Sequence, residues 1–559
     1  MKRFFILMSI MAVLLHASAQ WSSSSSENTQ VSFSSGEEAI SKVDATSPGG
    51  DIYISYFSNE SGNYDMFLQK YDKEGYTIWD EPLVVSDNEQ QSWLSDYAMR
   101  CDNEGNSIVT FSDVRNGNPD VYLYKIGPGG EFLWGENGIA CSATSEPEYA
   151  PRLAITSTNS AITTFIHPGA VGGDELVING VDEDGNYLFG EDGIIYTPVE
   201  DTFYSDPYVV PALDGNFIVV YSKNTGSSMY PDRKLKAMKL DSEGNELWNS
   251  ETTVSDAGGI SGFSDLHVIP GSSGGVVVSW HDDRDNDMHA ATYTQWIDSE
   301  GEPQLQPDGL GLAPTPAVNQ YDPRAVVQGD GSIMVFWTQK NSNQSMAGYY
   351  GQLISAEGDR LWGDNGQIFH ELGDSFSYLW LARPHDEAGS VVFYTKFAEG
   401  STSNETMNAA AINEDGSFWW DEEEVKVSSA SSGITHPAAG PLNHDQHILA
   451  WTDNRNGNND IYAQNITTAG TLGVTNTEIR EAPVENVKLY PNPAHQSVKI
   501  KTENFNHITV RNSLGQVVSR FDIVSEKEVT FYPEQNGLYF VTFSGKGYSI
   551  TRKVTVIRN

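Results

Sequence analysis

The sequence predicts an all-β chain: an eight-bladed β-propeller followed by a small Ig-like β-sandwich, with a seven-bladed ring and one stray unit as the alternative. Three observations carry that expectation. A glycine-marked unit recurs eight times, each unit contains four short strand signals, and the recurrence stops near residue 484, where the charge balance reverses.

The marker glycine precedes a bulky apolar residue by three or four positions, as in KEGYTIW (Gly75), GPGGEFLW (Gly130), DSEGNELW (Gly244) and NEDGSFWW (Gly416). Gly185, Gly301, Gly358 and Gly470 mark the other units, and successive glycines are 55, 55, 59, 57, 57, 58 and 54 residues apart. In unit 2 the strand signals are YAMRC, NSIVTFS, VYLYKI and GIACS; in unit 5 they are DLHVI, GVVVSW, ATYTQWI and LGLA. Asp72, Asp182, Asp241 and Asp298 each stand three residues before a marker glycine, which suits a type I turn closed by a residue of positive φ. No sustained helical apolar period interrupts the pattern. Four antiparallel strands repeated every roughly 40 to 60 residues are propeller blades, sheets too small to bury their faces without stacking on neighbours.

The last unit, ending TTAGTLG, lacks a convincing fourth strand. Residues 30 to 34 are expected to supply it and lock the ring, the rival being a local strand around Thr477 to Arg480. The serine run Ser22 to Ser26 reads as a flexible leader, too poor in apolar residues to fold. Upstream, Lys2 and Arg3 precede the apolar run FFILMSIMAVLL, and Ala17 and Ala19 form a small-x-small cleavage pattern. Residues 1–19 are therefore expected to be a signal peptide, too short to span a bilayer stably, and residues 20–483 to form the propeller. No other segment reads as transmembrane, so the mature chain is expected outside the inner membrane.

Of 559 residues, 33 are Lys or Arg and 76 are Asp or Glu, a formal net charge of −43. Residues 484–559 hold ten basic residues against six acidic ones, so the rest is even more acidic. Such a surface repels phosphate backbones and argues against a nucleic-acid partner. Cys101 and Cys141 are the only cysteines. They fall on the first and fourth strands of one sheet, about 14 Å apart, too far for a bridge, and both are expected to be buried thiols.

From residue 484 the segments VKLYPNPAHQSVKIK, ITVRNSLGQVV, NGLYFVTF and RKVTVIRN resemble the C-terminal sorting domain of type IX secretion cargo. The resemblance rests on Tyr490, Pro491, Asn492, Pro493, Gly515, Gly537, Tyr539 and Lys553, and covers only the last eighth of the chain. It implies a seven-stranded β-sandwich, handling by the type IX machinery, and a cargo released or held at the outer-membrane surface.

Chemical motifs are sparse. The stretches FSDVRNGNPDVY and WTDNRNGNNDIY share Asp113, Arg115 and Asp120 with Asp453, Arg455 and Asp460, and a third copy keeps Asp282 and Arg284, with His289 in the last place. If Asn456-Gly457 is a two-residue turn, Asp453 faces Asp460 and the arginine between them bridges both carboxylates. That staple is the first reading and ligand contact the second. Calcium is disfavoured, because arginine stands where an oxygen ligand is required, and no metal or cofactor is expected. His444-x-x-His447 has metal-like spacing but reads as a solvated loop. GxSxG, HExxH and phosphate-loop signatures are absent. The turn segments resemble the Asp-box of sialidase-like propellers only poorly. The functional expectation is an exported module that binds an extracellular protein or glycan, with KNTGSSMYPDRK, QKNSNQSMAG and KFAEGSTSNETM as variable contact loops. A glycan-active enzyme and a surface-layer component are the alternatives.

Overall fold

The computed structural model describes residues 20–473 and 487–558, apart from 47–48, 91–93, 95, 143, 170–172, 228–229, 263, 315–316, 386–387, 503–506, 513–516, 523–527, 534 and 546–547. Residues 1–19, the rival closing strand near Thr477 and the sorting-motif Gly515 lie outside the described residues. Two compact units divide the chain, Met1–Gly473 and Val474–Asn559.

The first unit contains, among the described residues, eight four-stranded antiparallel sheets. Seven are continuous in sequence, as in blade 2 with Ala98–Cys101, Ser107–Asp113, Asp120–Ile126 and Ile139–Ala140. The first strands of successive blades touch one another all the way round, and Glu38–Ala45 of blade 1 meets Ile434–Ala439 of blade 8. That closes an eight-bladed ring whose axis is lined by first strands. The middle strands, such as Ile52–Ser58, Ser107–Asp113 and Val276–Asp282, are buried at every residue. Their near-continuous apolar runs follow from being covered on both faces by neighbouring blades.

The eighth sheet is the exception. Its inner three strands are Ile434–Ala439, Gln446–Asp453 and Asp460–Thr467, and its outer strand is Thr29–Gln30, pairing Thr29 with Ala463 and Gln30 with Tyr462. The Val31 amide then donates to the Ile461 carbonyl at 2.8 Å. The closing strand therefore comes from the N-terminus as expected, but it begins at Thr29, and from Ser32 onward the chain has left the ladder.

The serine leader is not free, contrary to expectation. Trp21 is 2% exposed; its backbone amide donates to Glu74 O and its indole Nε1 to Lys73 O at 3.1 Å. Gln464 donates to Ser22 O at 2.6 Å, and the Ser429 amide donates to Ser25 O at 2.8 Å. Composition suggested disorder because serines cannot build a core, but here the backbone is held by a neighbouring ladder and one tryptophan anchors it.

Trp21 has counterparts around the ring. All eight marker glycines take φ between 75° and 91° and close an i to i+3 turn, where a Cβ would be strained. The bulky residue four positions after each glycine belongs to the next contact: Trp79 lies against Gly130, Trp134 against Gly185, Trp248 against Gly301, Trp362 against Gly416 and Trp420 against Gly470. Each of those indoles donates to the carbonyl two residues before the glycine it covers, for example Trp79 to Pro128 O at 3.1 Å and Trp420 to Thr468 O at 2.8 Å. Trp21 does the same on Gly75 and Lys73, so the N-terminal segment brings both the missing strand and the missing tryptophan to the eighth blade.

The second unit is built from two sheets. Val487–Tyr490, Val498–Thr502 and Glu528–Phe531 form one, and Val517–Asp522, His507–Asn512, Gly537–Gly545 and Tyr548–Val556 the other. Alternating Val498, Ile500, Ile508, Val510, Val541 and Val554 supply its core. The Asn492 side chain pins the Tyr-Pro-Asn-Pro segment to the last strand, donating to Lys553 O at 3.0 Å and accepting from the Thr555 amide at 2.9 Å.

Candidate functional site: the blade hairpins and the central channel

The hairpin between the second and third strands begins with the expected pairing of Asp453 with Asp460, and likewise of Asp113 with Asp120. The turn itself differs. The ladder ends at those aspartates, and residues 454–459 form a wider loop in which the Gly457 amide donates to Asn454 O at 2.9 Å. With the loop opened, the arginine serves one carboxylate instead of bridging two. Arg455 Nη2 ion-pairs with fully buried Asp453 at 2.5 Å, and its guanidinium lies 4.0 Å over the Tyr462 ring. Asp460 is served by Asn456 Nδ2 at 3.3 Å and by Gln30 Nε2 of the closing strand at 3.4 Å.

Blade 2 repeats the division of labour: Arg115 binds Asp113 and lies 3.6 Å over Tyr122, while Asn118 and Asn116 donate to Asp120 at 2.7 and 3.1 Å. In blade 5 Arg284 forks onto Asp282 at 2.9 and 2.7 Å and lies 3.4 Å over Tyr293. Asp282 pairs with Ala291, so His289 stands outside the ladder, beside Asp287. Burial alone raises the Asp453 carboxyl, but hydrogen bonds from Arg455 and Trp451 outweigh it and hold the group below its usual range. Burial raises its partner Asp460 instead. The opposed pair thus keeps one firmly ionised member, which eases the repulsion between them.

Two other expectations change. KNTGSSMYPDRK is mainly ladder, with Lys223 to Ser227 paired to Lys234 to Tyr230, so it extends blade 4 as a hairpin. His447 is buried within the strand Gln446–Asp453, its ring nitrogens 3.3 and 2.9 Å from the carbonyl oxygens of Gly440 and Pro384. Burial pushes its pKa down to about 4. Among the described residues no group of three or more His, Cys, Asp or Glu could hold a metal ion. Cys141 is buried and Cys101 only half-buried; both are free thiols.

A concavity of about 590 Å³ occupies the central channel, lined by first strands of blades 1 to 7. Several of these strands carry a bulge at the axis, with positive φ at Ile40, Ala150, Asp206 and Asp322. A bulge re-aims the side chain that follows it, here Lys42, Arg152, Tyr208 and Arg324. Arg100 and Arg383 also line the channel. Five of the chain's 33 basic residues thus meet there, against two lining carboxylates, Asp96 and Asp265.

Those carboxylates are engaged. Asp96 takes Lys42 at 2.7 Å and Arg152 at 3.5 Å; Asp265 takes Arg324 at 3.0 Å and the Tyr208 hydroxyl at 3.2 Å. Arg383 donates to Ala439 O at 3.1 and 2.8 Å and to Ala382 O, and Arg100 donates to Met99 O. Among the described residues neither forms an ion pair. The nearby carboxylate of Asp44 instead accepts the amides of Cys101 and Ala45 at 2.8 and 2.9 Å. Enclosure by the channel wall, then the charge of Arg100, pushes the Arg383 pKa down to about 10, so it remains cationic at neutral pH. Burial drives His267 well below its ordinary value, with Arg324 and Arg383 adding to the effect, and its Nδ1 accepts the Ala325 amide at 3.0 Å.

Sequence reasoning singled out the repeated hairpin arginines and passed over these. Their signal was faint: basic residues on first strands, in YAMRC, APRLAI, DPRAVV and LARPHD, within an acidic chain.

Residues 488–557 match the family described as the secretion system C-terminal sorting domain. No curated protein matches the chain. Similar solved structures include a protein of unknown function from Dyadobacter fermentans (11% identity, 58% of this chain and 95% of that one, TM-score 0.34). A puromycin hydrolase matches at 12% identity over 75% of this chain and 59% of its own, with a TM-score of 0.41. The alpha-L-arabinanase of Penicillium chrysogenum, complexed with arabinobiose, matches at 11% over 58% and 94%, with a TM-score of 0.32. The tail makes the chain type IX secretion cargo, exported to the cell surface or beyond it. Among the described residues no helix is long and apolar enough to cross a membrane.

Proposed function

We propose that the protein is an exported β-propeller that binds an extracellular ligand, protein or glycan, in its central channel, and that residues 1–19 are removed as a signal peptide. The single observation that carries this reading is the channel itself. Its volume falls within the range of small-ligand sites, and its wall varies from blade to blade, with Lys42, Arg152, Tyr208, His267 and Leu381 at equivalent first-strand positions. A purely architectural ring has no need of that variety. Cleavage after Ala19 would leave Trp21 and Thr29 near the new terminus, where they dock on blades 1 and 8.

The glycan-cleaving alternative calls for one carboxylate that keeps a proton and another free to attack or to activate water. Asp96 and Asp265 are instead committed to Lys42, Arg152 and Arg324, and Lys42 and Arg152, outweighing burial, hold Asp96 below the usual range. That disposition favours binding over hydrolysis.

The test is a glycan and extracellular-protein array probed with the full chain and with Leu381→Trp, which narrows the channel. Binding to a defined set of elements, lost in the variant at unchanged melting temperature, is the expected result. An empty array, or signals indifferent to the channel substitution, would remove the reading. Self-association without ligand capture would favour a surface-layer component.

A further inference from the structure

Resting on the channel-binding reading, we propose that Arg100 and Arg383 form an oxyanion subsite in the channel, recognising a carboxylate, sulfate or phosphate group on the ligand.

The argument starts from charge. An exported chain with a net charge of −43 has abundant carboxylates for every cation, yet these two guanidiniums face each other's field at the axis with none ion-paired to them among the described residues. Bringing like charges together in an enclosed space is unfavourable, and selection against it is simple because a neutral residue fits the same strand position. The corresponding positions on other blades show as much: Ala154, Val210 and Ile269 line the same channel. The remaining cations are ion-paired: Lys42 and Arg152 share Asp96, and Arg324 takes Asp265.

Geometry narrows the partner. A guanidinium offers five N–H donors in a planar fork that matches the paired oxygens of a carboxylate, sulfate or phosphate. Arg383 spends Nε, Nη1 and Nη2 on backbone carbonyls, which fixes the plane of the group while leaving N–H bonds uncommitted. Arg100 spends Nη1 on its neighbour's carbonyl and is exposed within the channel. Asp44, whose two carboxylate oxygens are held by backbone amides, supplies a counter-charge that keeps the arginines tolerable in the unliganded protein without filling their donors. Burial raises the carboxyl of Asp44, which weakens it as a competitor. His267, neutral at physiological pH, adds no repulsion to an entering anion and no further charge.

The experiment is isothermal titration of the full chain with sodium acetate, D-glucuronate, sulfate and phosphate at constant ionic strength, chloride serving as the reference anion. Sulfate and phosphate strengthen folding non-specifically by exclusion from protein surfaces, so saturable heat is required rather than a thermal shift alone. Saturable binding of at least one oxyanion is expected, weakened about tenfold or more in Arg383→Gln and in Arg100→Gln, as loss of a charge-assisted hydrogen bond implies. Lys223→Gln, on the outer hairpin, should leave it unchanged. The acetate and glucuronate arms against the sulfate and phosphate arms identify which oxyanion the site takes. No saturable binding, or binding equal in wild type and both variants, overturns the subsite. If the array above still returns channel-dependent neutral ligands, the binding-module reading survives that failure; if the array is empty as well, both fall together.

Discussion

Arg455, on the hairpin of the eighth blade, gives its guanidinium to the fully buried Asp453 and covers the ring of Tyr462, whereas Arg383, on the first strand of the seventh blade, donates to backbone carbonyls alone and lies in the fields of Arg100, Asp44 and Arg324. The first belongs to a pattern that recurs at Arg115 and Arg284, an arginine forked onto the aspartate two residues before it; the second has no ion pair among the described residues. The contrast extends to the whole ring. Away from the axis, tryptophans on marker glycines and arginines on aspartates repeat because every blade must solve the same stacking problem. At the axis the first strands diverge, because a side chain facing open space need not match a stacking partner, although Arg324 and Arg383 each reach a carbonyl of the following blade. Repetition here reports stability, and its breakdown reports the surface available for recognition.

The sharpest way to break that division is at ring closure. Trp21→Ala removes a buried aromatic and the hydrogen bond to Lys73, and should cost about 3 to 5 kcal/mol of unfolding free energy, read by urea denaturation. A loss near zero would mean that the eighth blade is closed by strand pairing alone. Next comes Arg455→Ala, which strands Asp453 as a buried unpaired charge and should cost about 3 kcal/mol without altering any channel binding. An equal cost for Arg383→Gln would erase the distinction between the two arginines.

A smaller effect comes from Glu148, a buried carboxyl that accepts the Val121 amide and the Ser142 hydroxyl and whose pKa is raised to about 7, chiefly by burial. The folded state holds its proton through a range in which the unfolded chain has released it, so this group's contribution is present below its ordinary value of 4.5 and is lost as pH rises through about 7. Glu148→Gln should therefore match wild type near pH 4 and exceed it by about 2 kcal/mol near pH 8. A benefit confined to acid would reverse the sign and refute the assignment. Smallest of all, Arg383→Gln should cost about 1 kcal/mol, because it gives up hydrogen bonds to the Ala439 and Ala382 carbonyls but breaks no ion pair.

Much of this was legible in the residues. Gly75 and its seven counterparts announced the period, since a positive-φ turn residue cannot be hidden by packing, and Asp453 to Asp460 announced a hairpin. The wider loop that frees Arg455 from Asp460 was not legible, because Asn-Gly fits several turn geometries and the choice depends on Gln30 and Asn28 arriving from the other end of the chain. Trp21 was missed for a related reason: serine-rich flanks read as disorder until a neighbouring blade offers carbonyls and amides to hold them. The channel arginines share neither a motif nor a sequence neighbourhood. Arg100 and Arg383 are far apart along the chain, and only their positions on first strands bring them together.

By itself, then, the sequence determined the repeat, the strand count, the source of the closing strand and the export tail, because turn chemistry and strand periodicity act over a few residues. Tertiary structure alone decided which arginines are satisfied and which face the axis. Ring closure sets those distances, and in a low-dielectric interior whether a charge has its counter-ion depends on blades that meet only when the circle is complete.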